Sequence, residues 1–331
     1  MTRAKDRSAT VSEVGEAEVL EVLRGPAEQH TDDPVGNGDD AAVLGPSAAT
    51  VVTTDMVVEG THFRLDLTTW GDIGRRAVAQ NVSDVLAMGA DCSRVLVAVA
   101  VPGETSMEQI ARLSEGIHGE AARSGAVVVG GDFTRADLVV VGVTAIGTLP
   151  DGARPLRIDG AAPGDRVALT GEPGRSEAGL ALILSGRPDG VLQQTYRVPV
   201  TPIGSGRAAR LAGASALTDV SDGLLRDLAG VARASGVAAD LVRRDLPVDP
   251  LLAEAAAVLG APDPGARVLE WVLDGGEDHG LLGTFPPSAT IPPGFTVIGR
   301  IRAGEPGEVT LDGRPRVPGG WDSARGASAM R

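Results

Sequence analysis

Aspartate residues recur in this sequence in one local context, beside small residues where strand-like runs end or turns begin. They are Asp40 after Gly38-Asp39, Asp55 after Thr53-Thr54, Asp84 after Ser83, Asp132 after Gly130-Gly131, and Asp219 and Asp222 around Ser221. Carboxylates at the carboxyl ends of strands meet at one rim of a sheet, where ligands of α/β proteins bind. Ionised carboxylates share a site only when cations neutralise them, and Asp, Thr and Ser oxygens suit Mg²⁺. The pattern predicts a magnesium site, and the alternative for each aspartate taken alone is a helix cap or a turn.

Two segments, one in each half of the chain, are near-copies of each other. Val82-Ser83-Asp84-Val85-Leu86 is matched by Val220-Ser221-Asp222-Gly223-Leu224, and we expect each Ser-Asp pair at or near the start of a helix. Helix capping alone would explain such a pair. The repetition also predicts that each half contributes one acidic edge to a shared cleft.

Three glycine-containing turns are further candidates for ligand binding. Gly130-Gly131 would let a ligand approach the backbone closely, because neither residue has a Cβ atom. The turn Gly171–Ser176 fits a phosphate-binding turn at a helix start and, equally, a plain strand-to-helix turn. In Leu273–His279 a carboxylate either binds a cationic substrate or is solvated.

Net charge and the lysine and cysteine content exclude several classes of function. The 331 residues include 30 Lys+Arg and 44 Asp+Glu, a net charge of −14, so we expect no basic surface for nucleic acid or anionic membranes. Lys5 is the only lysine, which excludes a Walker-type loop and a Schiff base. Cys92 is the only cysteine, which excludes internal disulfides and fits a reducing cytoplasm. No apolar run reaches membrane-spanning length.

Strand-like and helical patterns alternate along both halves and must position these motifs. In the first half we predict strands at 41–44, 50–58, 94–101, 127–129 and 138–146, and helices before residue 28, at 71–90 and from the capping-box sequence Thr105–Glu108 onwards. The Pro-, Gly- and Arg-rich stretch Leu149–Gly164 is predicted to be a linker. Beyond it we predict strands at 166–170 and 217–220 and helices at 177–184, after Thr201-Pro202 and at 222–234. The alternation predicts an α/β (α+β) protein with two domains, residues 1–150 and 151–331.

Six motifs, in order along the chain, resemble those of a known family. They are Gly36–Ala41, Thr53–Asp55 with Gly60–Phe63, Asn81–Asp84 with Ala87–Ala90, Gly130–Asp132, Asp219–Leu224 and Gly275–Asp278. From about residue 13 to Trp321 the chain is similar to the thiamine-monophosphate kinases, which are members of the aminoimidazole-ribonucleotide-synthetase-like superfamily. Each motif alone is weakly specific, whereas six in order are highly specific.

The resemblance implies a reaction and an architecture. The reaction is transfer of a phosphoryl group from ATP to thiamine monophosphate, giving ADP and thiamine diphosphate, with several Mg²⁺ ions. The architecture is a two-domain fold whose N-terminal sheet domain binds ATP and Mg²⁺ and pairs in a homodimer, while the C-terminal α/β domain completes the substrate site. Because no Cys or His nucleophile stands in a matching motif, we expect direct in-line transfer without a phosphoenzyme. With a single lysine, metal ions and arginines must hold the ATP.

The resemblance also implies roles for individual residues. The implied Mg²⁺ ligands are Asp40, Thr53, Thr54, Asp55, Asp84, Asp132, Asp219 and Asp222. The implied ATP contacts are Gly131, Asp132, Arg157 and Ser221, and the implied thiamine phosphate contacts are His62, Glu277 and Trp321. His279-Gly280 stand where the family often has Tyr-Glu, which leaves the role of His279 open. The Arg157 segment is one residue longer than the usual pattern, which leaves Arg154 as the alternative to Arg157.

Other classes of protein remain as alternatives to this reading. Another ATP-using enzyme of the superfamily, of the synthetase type, would share the acidic Gly-Asp segments but not the pairing of Thr53–Phe63 with Gly275–Asp278. A selenide-activating enzyme would need a reactive Cys or selenocysteine near its N-terminus, and the first cysteine here is Cys92. A non-enzymatic scaffold would be expected to have lost Asp ligands, and none of them is missing.

Overall fold

The computed structural model describes Ala9, Thr10, Glu13, Val22 and residues 49–320. Asp40, Trp321, the predicted N-terminal helix and the predicted strand 41–44 lie outside the described residues. The pattern of contacts divides residues 49–320 into two compact units. The first unit contains residues 49–82 and 92–152, and the second contains residues 83–91 and 153–320. Helix α1 (Trp70–Ala87) therefore has its residues up to Val82 in the first unit and the remainder in the second.

The first unit is built on a four-stranded sheet. Its strands are β1 (Ala49–Val58), β2 (Asp91–Val101), β3 (Val127–Arg135) and β4 (Val140–Leu149), and helix α2 (Met107–Arg123) connects β2 to β3. The strand order is β1-β4-β2-β3. Strand β1 pairs antiparallel with β4, whereas β2 and β3 are parallel, as the helical crossover between them requires. β-Branched residues such as Val95 and Val141 are fully buried in this sheet, which is the environment that favours them.

Helix α2 begins with a capping box one residue later than the sequence predicts. The hydroxyl of Ser106 accepts a hydrogen bond from the Gln109 backbone N–H at 3.3 Å, and the Gln109 side chain accepts one from the Ser106 N–H at 2.8 Å. The predicted box on Thr105 and Glu108 is therefore wrong by one position. Gln109 takes the place of the predicted Glu108 as the side chain that accepts the N-cap N–H. Gln can do so because, like Glu, its side chain ends in an oxygen that reaches back to the N-cap backbone.

Glycines allow helices α1 and α2 to pack with their backbones in contact. A Cβ atom on Gly116 would lie 2.0 Å from the carbonyl oxygen of Gly71, and one on Gly74 would lie 2.4 Å from that of Leu113. Any side chain at these positions would push the helices apart. The close approach fixes the first turns of α1 against α2 within the first unit.

The second unit contains a seven-stranded mixed sheet. Its strands are β5 (Arg166–Thr170), β6 (Ala216–Val220), β7 (Ala238–Leu241), β8 (Gly280–Phe285), β9 (Phe295–Arg302), β10 (Val309–Leu311) and β11 (Arg314–Arg316). Its helices are α3 (Arg175–Leu184), α4 (Val191–Arg197), α5 (Ser205–Leu211), α6 (Leu224–Ala234), α7 (Pro250–Val258) and α8 (Pro264–Asp274), with a 3₁₀ turn at Arg243–Asp245. The strand order is β11-β10-β7-β9-β5-β8-β6, which makes β6 an edge strand paired with β8.

The core of the second unit lies between this sheet and its helices. Leu224, Leu225 and Leu228 of α6 are buried on one helix face and join the same apolar cluster as Trp271 and Val272 of α8. Helices α6 and α8 also pack against each other. The turn before α6 and the loop after α8 are therefore anchored to one core, and these two segments carry the candidate site.

The predicted α/β fold class is confirmed, and strand β5 has the predicted bounds. Two placements are wrong. Ser83-Asp84 lie in the last turns of α1 rather than near its start, although Ser221-Asp222 do precede helix α6 as expected. The helix expected directly after Thr201-Pro202 begins at Ser205, with Gly204 as its N-cap. Strands β7 to β11 were missed. Strands β7, β8 and β10 are short buried runs with no periodicity that separates strand from helix, and β11 is an exposed run of three residues.

Candidate active site

The turn between β6 and α6 carries three of the predicted site residues. Asp219 is the fourth residue of β6, and Ser221 and Asp222 follow the end of that strand. The Ser221 hydroxyl lies 3.4 Å from Asp219 Oδ1, within hydrogen-bond distance. The chain then turns at Gly223, whose φ is 117° and where a Cβ atom would lie 2.8 Å from the carbonyl oxygen of Asp274. Glycine is therefore required for the turn that presents these polar side chains at the sheet edge.

The loop between α8 and β8 docks onto this turn through its backbone. The N–H of Glu277 donates to the carbonyl oxygen of Ser221 at 2.7 Å, and the N–H of His279 donates to that of Val220 at 2.8 Å. Glu277 and His279 both adopt left-handed backbone conformations, with φ of 66° and 52°. Non-glycine residues pay a steric penalty in this region, and such strain is concentrated at functional sites. The docking brings the predicted substrate residue Glu277 beside the predicted ATP contact Ser221.

His279, whose role the sequence leaves open, is buried between two predicted site residues. Its Nδ1 lies 3.1 Å from Asp219 Oδ2, and its Nε2 lies 3.6 Å from Glu277 Oε2. Burial alone would lower the pKa of His279, but hydrogen bonds to Asp219 and Glu277 and their negative charges raise the pKa to about 10. The raised pKa favours the imidazolium form of this side chain, which lies between the two carboxylates. The hydroxyl of Ser83, one residue before Asp84, lies 3.4 Å from the His279 carbonyl oxygen.

Asp227, in the first turn of α6, is a member of this acidic cluster that the sequence analysis missed. One of its carboxylate oxygens accepts a hydrogen bond from the Asp222 backbone N–H at 3.1 Å. Burial, together with the negative charges of Asp219 and Asp222, raises the pKa of Asp227 to about 7. A third aspartate five residues after Asp222, on the first helical turn, is the signal that could have revealed it.

The oxygen donors of this cluster fit Mg²⁺ in their chemistry. The negative charges of Asp219 and Asp222 raise the pKa of Asp227, so the three carboxyl groups lie close together. A bound cation would reduce the repulsion between them. Over residues 49–320, no three or more His, Cys, Asp or Glu side chains form a group able to hold a metal ion by themselves. Mg²⁺ usually takes one or two carboxylates and completes its octahedron with water and phosphate oxygens. The cluster therefore fits an ion shared with a phosphorylated ligand.

The turn Gly171–Ser176 is a capped strand-to-helix turn rather than a phosphate site. The carboxylate of Asp278 accepts hydrogen bonds from the backbone N–H groups of Gly174, at 2.5 Å, and Ser176, at 2.9 Å. These are the donors that a phosphate at the start of α3 would use. Burial raises the pKa of Asp278 to about 7, and the two N–H donors act in the opposite direction. A carboxylate of the protein itself therefore occupies the anion position, and the plain-turn alternative is correct.

The predicted metal residues of the first unit lie within strands and not at strand ends. Asp55 lies inside β1, where its carboxylate accepts hydrogen bonds from the Met56 N–H and from Gln80 Nε2, both at 2.7 Å. Asp132 lies inside β3, and both aspartates are exposed. Strands β1 and β3 are the two edges of the sheet, with β4 and β2 between them. Three strand spacings, about 14 Å, therefore separate the strands that carry the two aspartates.

Three further residues of the first unit have structural partners. The Thr54 hydroxyl donates to the Val143 carbonyl oxygen at 3.1 Å, beside Thr53 on the edge strand. His62 follows β1 in a turn, and its Nδ1 accepts a hydrogen bond from the Val58 N–H at 3.0 Å. A Cβ atom on Gly131 would lie 2.0 Å from the Val97 carbonyl oxygen. The packing of β3 on β2 therefore requires glycine at position 131, whether or not a ligand approaches it.

Arg157 is attached to the strand that carries Asp219. Its carbonyl oxygen accepts a hydrogen bond from the Leu217 N–H of β6 at 3.1 Å. Its guanidinium forms a two-point ion pair with Asp159, with N–O distances of 2.9 and 2.5 Å, and this pairing raises the pKa of Arg157. Both Arg157 and Arg154 are exposed. The backbone bond joins Arg157 to β6 two residues before Asp219, and the choice between Arg157 and Arg154 as an ATP contact stays a prediction.

Within the second unit, the structure thus brings together four of the predicted residues and adds two more. Asp219, Ser221, Asp222 and Glu277 converge through the docked loops, with His279 and Asp227 between or beside them. Gly131, Asp132, Asp55, Thr53, Thr54 and His62 belong to the first unit, and Asp84 and Arg157 to the second.

The fold and these motifs define a class, the two-domain proteins related to aminoimidazole-ribonucleotide synthetase. Residues 38–149 match the family model described as AIR synthase related protein, N-terminal domain. The crystal structure of thiamine-monophosphate kinase from Stenotrophomonas maltophilia K279a aligns with a TM-score of 0.76 and 32% identity, covering 91% of this chain and 96% of that one. The structure "AaThiL complexed with AMPPCP and TMP" aligns with a TM-score of 0.72 and 27% identity, covering 89% and 88% of the two chains.

The sequence relatives narrow this class to one family. The chain is 43% identical over 319 residues to thiamine-monophosphate kinase of Mycobacterium tuberculosis (strain CDC 1551 / Oshkosh), covering 96% of this chain and 93% of the relative. The chain belongs to the thiamine-monophosphate kinase family. The resemblance drawn from the six motifs is thereby confirmed.

Proposed function

We propose that this protein transfers the γ-phosphoryl group of ATP to thiamine monophosphate, giving thiamine diphosphate and ADP. The observation that carries the proposal is 43% identity with a thiamine-monophosphate kinase over 96% of the chain. It is supported by the structural relative complexed with AMPPCP and TMP. The convergence of Asp219, Ser221, Asp222 and Glu277 in the second unit agrees with it, because these residues belong to two motifs far apart in sequence.

The proposed magnesium ligands are the oxygen donors of both units. They are Asp40, Thr53, Thr54, Asp55, Asp84, Asp132, Asp219 and Asp222. When bound, Mg²⁺ would neutralise the charge that develops on the phosphates during transfer. The protein's own contribution to this part of the site is the proximity of Asp219, Asp222 and Asp227, since carboxylates of like charge would favour a bound cation.

The remaining groups hold and orient the two substrates. Gly131, Asp132, Arg157 and Ser221 are the proposed ATP contacts, and His62, Glu277 and Trp321 are the proposed thiamine phosphate contacts. His279 Nε2 lies 3.6 Å from Glu277 Oε2, beside the carboxylate proposed to meet the thiazolium-bearing substrate. Arginine supplies positive charge for the phosphates, because the chain has no lysine after Lys5.

The transfer itself is proposed to be direct. A phosphate oxygen of thiamine monophosphate forms a bond to the γ-phosphorus of ATP while the bond from that phosphorus to the bridging oxygen breaks, and ADP leaves in line. The residues position the two phosphates and need not form a covalent intermediate. Acid quenching during turnover with γ-labelled ATP should trap no labelled protein, and a labelled phosphoprotein would contradict direct transfer.

The domain roles and the assembly are part of the same proposal. Residues 1–150 would bind ATP and Mg²⁺ and form a homodimer, and residues 151–331 would complete the substrate site. Val52 and Met56 support the dimer, since they are 60% and 53% exposed on one face of the edge strand β1.

Within the described ranges no helix is both long and apolar enough to cross a membrane. The cytoplasmic location and the absence of nucleic-acid or membrane partners stay predictions.

One assay separates the proposal from its alternatives. ATP consumption is measured with thiamine monophosphate, thiamine and unrelated phosphorylated nucleotides in turn, with Mg²⁺ present. Consumption with thiamine monophosphate alone, coupled to formation of thiamine diphosphate, supports the proposal. Consumption with a nucleotide-like acceptor instead would favour a synthetase-type member of the superfamily, and binding of ATP without turnover of any acceptor would favour a scaffold.

A further inference from the structure

A cavity of about 140 Å³ lies in the second unit, beside the two loops of the candidate site. It is bordered by the ends of β5 and β6, the turn before α3, helix α4 with the loop that follows it, and the start of β8. Val220 and Asp278 are among its lining residues. Val220 directly precedes Ser221, and Asp278 directly follows Glu277. Because consecutive Cα atoms are about 3.8 Å apart, the cavity adjoins the proposed substrate site.

Apolar side chains make up much of the cavity wall. They are Leu169, Pro173, Val200, Pro202 and Val220. Val200 lies at the mouth of the cavity, since it lines the space and is also 68% exposed. A concave apolar wall of this kind favours a ring or chain that carries little charge and a few polar groups.

The charged side chains on the wall neutralise each other. The guanidinium of Arg175 is 2.9 Å from a carboxylate oxygen of Glu172 and 3.1 Å from one of Asp249. An anionic ligand would therefore meet an arginine whose charge is already balanced, and the lining carboxyl groups of Glu172 and Asp278 would disfavour it further. The cavity is unsuited to a phosphate group and suits a neutral or weakly basic ligand.

Asp278 and two threonines supply hydrogen-bonding groups to the cavity. Each Asp278 oxygen accepts one backbone N–H at the start of α3, and a carboxylate oxygen has room for a second partner. Because burial raises the pKa of Asp278 to about 7, its carboxyl group can also donate near neutral pH. The Thr170 hydroxyl accepts the Leu281 N–H at 2.7 Å and can donate in turn, and the Thr195 hydroxyl oxygen can accept.

We propose that this cavity binds the aminopyrimidine ring of thiamine monophosphate, with the Asp278 carboxyl group facing the exocyclic amine and the adjacent ring nitrogen. The ring is flat and uncharged at neutral pH, and it carries an N–H donor beside a nitrogen acceptor, which matches an apolar wall with one carboxyl group. The consecutive residues Glu277 and Asp278 then divide the substrate between them, Glu277 meeting the thiazolium and Asp278 the pyrimidine. The inference rests on the proposed function and assigns a binding place to one half of its substrate.

The first test fills the cavity from its mouth in the full-length protein. Val200→Trp places a large ring at an exposed position, so the fold should persist while the space for the pyrimidine is lost. KM for thiamine monophosphate should rise at least about tenfold, while KM for ATP stays within about twofold. Calorimetry with thiamine monophosphate and a non-hydrolysable ATP analogue should show the same loss of affinity. Ile203→Trp is the matched control, because Ile203 is an exposed residue of the same loop outside the cavity lining, and both KM values should stay unchanged.

The second test changes the ligand together with Asp278. An analogue of thiamine monophosphate with hydrogen in place of the pyrimidine amine should have a KM about tenfold higher in the wild type, the scale of one hydrogen bond to a carboxyl group. In Asp278→Ala the same change should matter less than about twofold, because the partner of the amine is gone. Asp278→Asn keeps an acceptor oxygen and should retain most of the discrimination. Asp263→Ala, which removes the N-cap of α8, controls for the loss of a helix cap and should leave the discrimination unchanged.

The outcomes separate this inference from the proposed function. If the wild-type protein phosphorylates thiamine monophosphate but Val200→Trp leaves its KM unchanged, or raises both KM values equally, the inference is wrong and the proposed function stands. Equal discrimination against the analogue in the wild type and in Asp278→Ala would also overturn the inference. A wild-type protein that neither binds nor phosphorylates thiamine monophosphate would overturn both.

Discussion

The buried imidazole of His279 lies 3.1 Å from the carboxylate of Asp219, and its other nitrogen lies 3.6 Å from that of Glu277. A carboxylate of strand β6 and one of the loop after α8 thus lie on either side of the same imidazole. Because breaking a buried ion pair leaves a charge without its partner, loss of any one of the three side chains should destabilise the other two. A residue that the sequence left without a role connects a proposed metal ligand to a proposed substrate contact.

Replacing His279 should therefore damage both stability and turnover. In His279→Ala, Asp219 and Glu277 remain buried or half-buried without their shared cation, and we expect a loss of about 3–5 kcal/mol in the free energy of unfolding. Urea unfolding measures this loss. The double variant His279→Ala/Asp219→Ala should lose less than the sum of the single changes, since the uncompensated carboxylate is gone. Additive losses would show that the two side chains are not coupled.

Asp222→Asn should abolish turnover while leaving the fold intact. The substitution removes a proposed Mg²⁺ ligand but keeps the size of the side chain, and its N–H can still donate to Asp227. We expect kcat to fall at least about a hundredfold and the melting temperature to change by no more than a few degrees. The exposed Asp245 offers a matched control, and Asp245→Asn should leave both values unchanged. Near-normal turnover in Asp222→Asn would remove this residue from the metal site.

Asp278 should make stability fall as the pH rises towards neutrality. Its folded pKa of about 7 lies above the ordinary value of 3.8, so the folded state holds its proton more tightly than the unfolded state. Its favourable contribution is complete below about pH 4 and is lost between about pH 4 and 7, by at most about 4 kcal/mol.

The check on Asp278 is the difference in unfolding free energy between the wild type and Asp278→Asn across that pH range. The Asn side chain does not titrate. The wild type should therefore become more stable relative to Asp278→Asn as the pH falls from about 7 to about 4. A difference that is constant from pH 4 to 7 would mean that Asp278 titrates normally.

Gly131→Ala should destabilise the first unit even without ligand. The new Cβ atom would lie 2.0 Å from the Val97 carbonyl oxygen, so β3 must shift away from β2. We expect a loss of about 1–3 kcal/mol, measured by thermal unfolding of the apo protein. Gly119, in α2, is the control: nothing lies within 4 Å of the Cβ that Gly119→Ala would add, and the helix should gain up to about 1 kcal/mol. Unchanged apo stability in Gly131→Ala would leave ATP contact as the reason for this glycine.

Much of this protein could be inferred from its sequence because the chemistry is local. Motifs such as Gly130-Gly131-Asp132 and Asp219–Leu224 keep their residue types and order whatever the surrounding packing, so six of them pointed to the family that the 43% identical relative establishes. Strand β5 and the start of α6 near Ser221-Asp222 followed from alternation and turn residues for the same reason. Short buried strands such as β7 and β10 could not be predicted, because their residues carry no period.

Only the tertiary structure decided which polar groups face each other. Asp278 lies about a hundred residues after Gly174 and Ser176, and nothing local reveals that its carboxylate fills the anion position at the start of α3. The burial of His279 between Asp219 and Glu277 and the attachment of Gly319 to Asp274 are decided in the same way. The sequence by itself determined the types of donor and acceptor and their local spacing. Which donor meets which acceptor depends on loops held together by one shared core, and a core is a property of the whole unit.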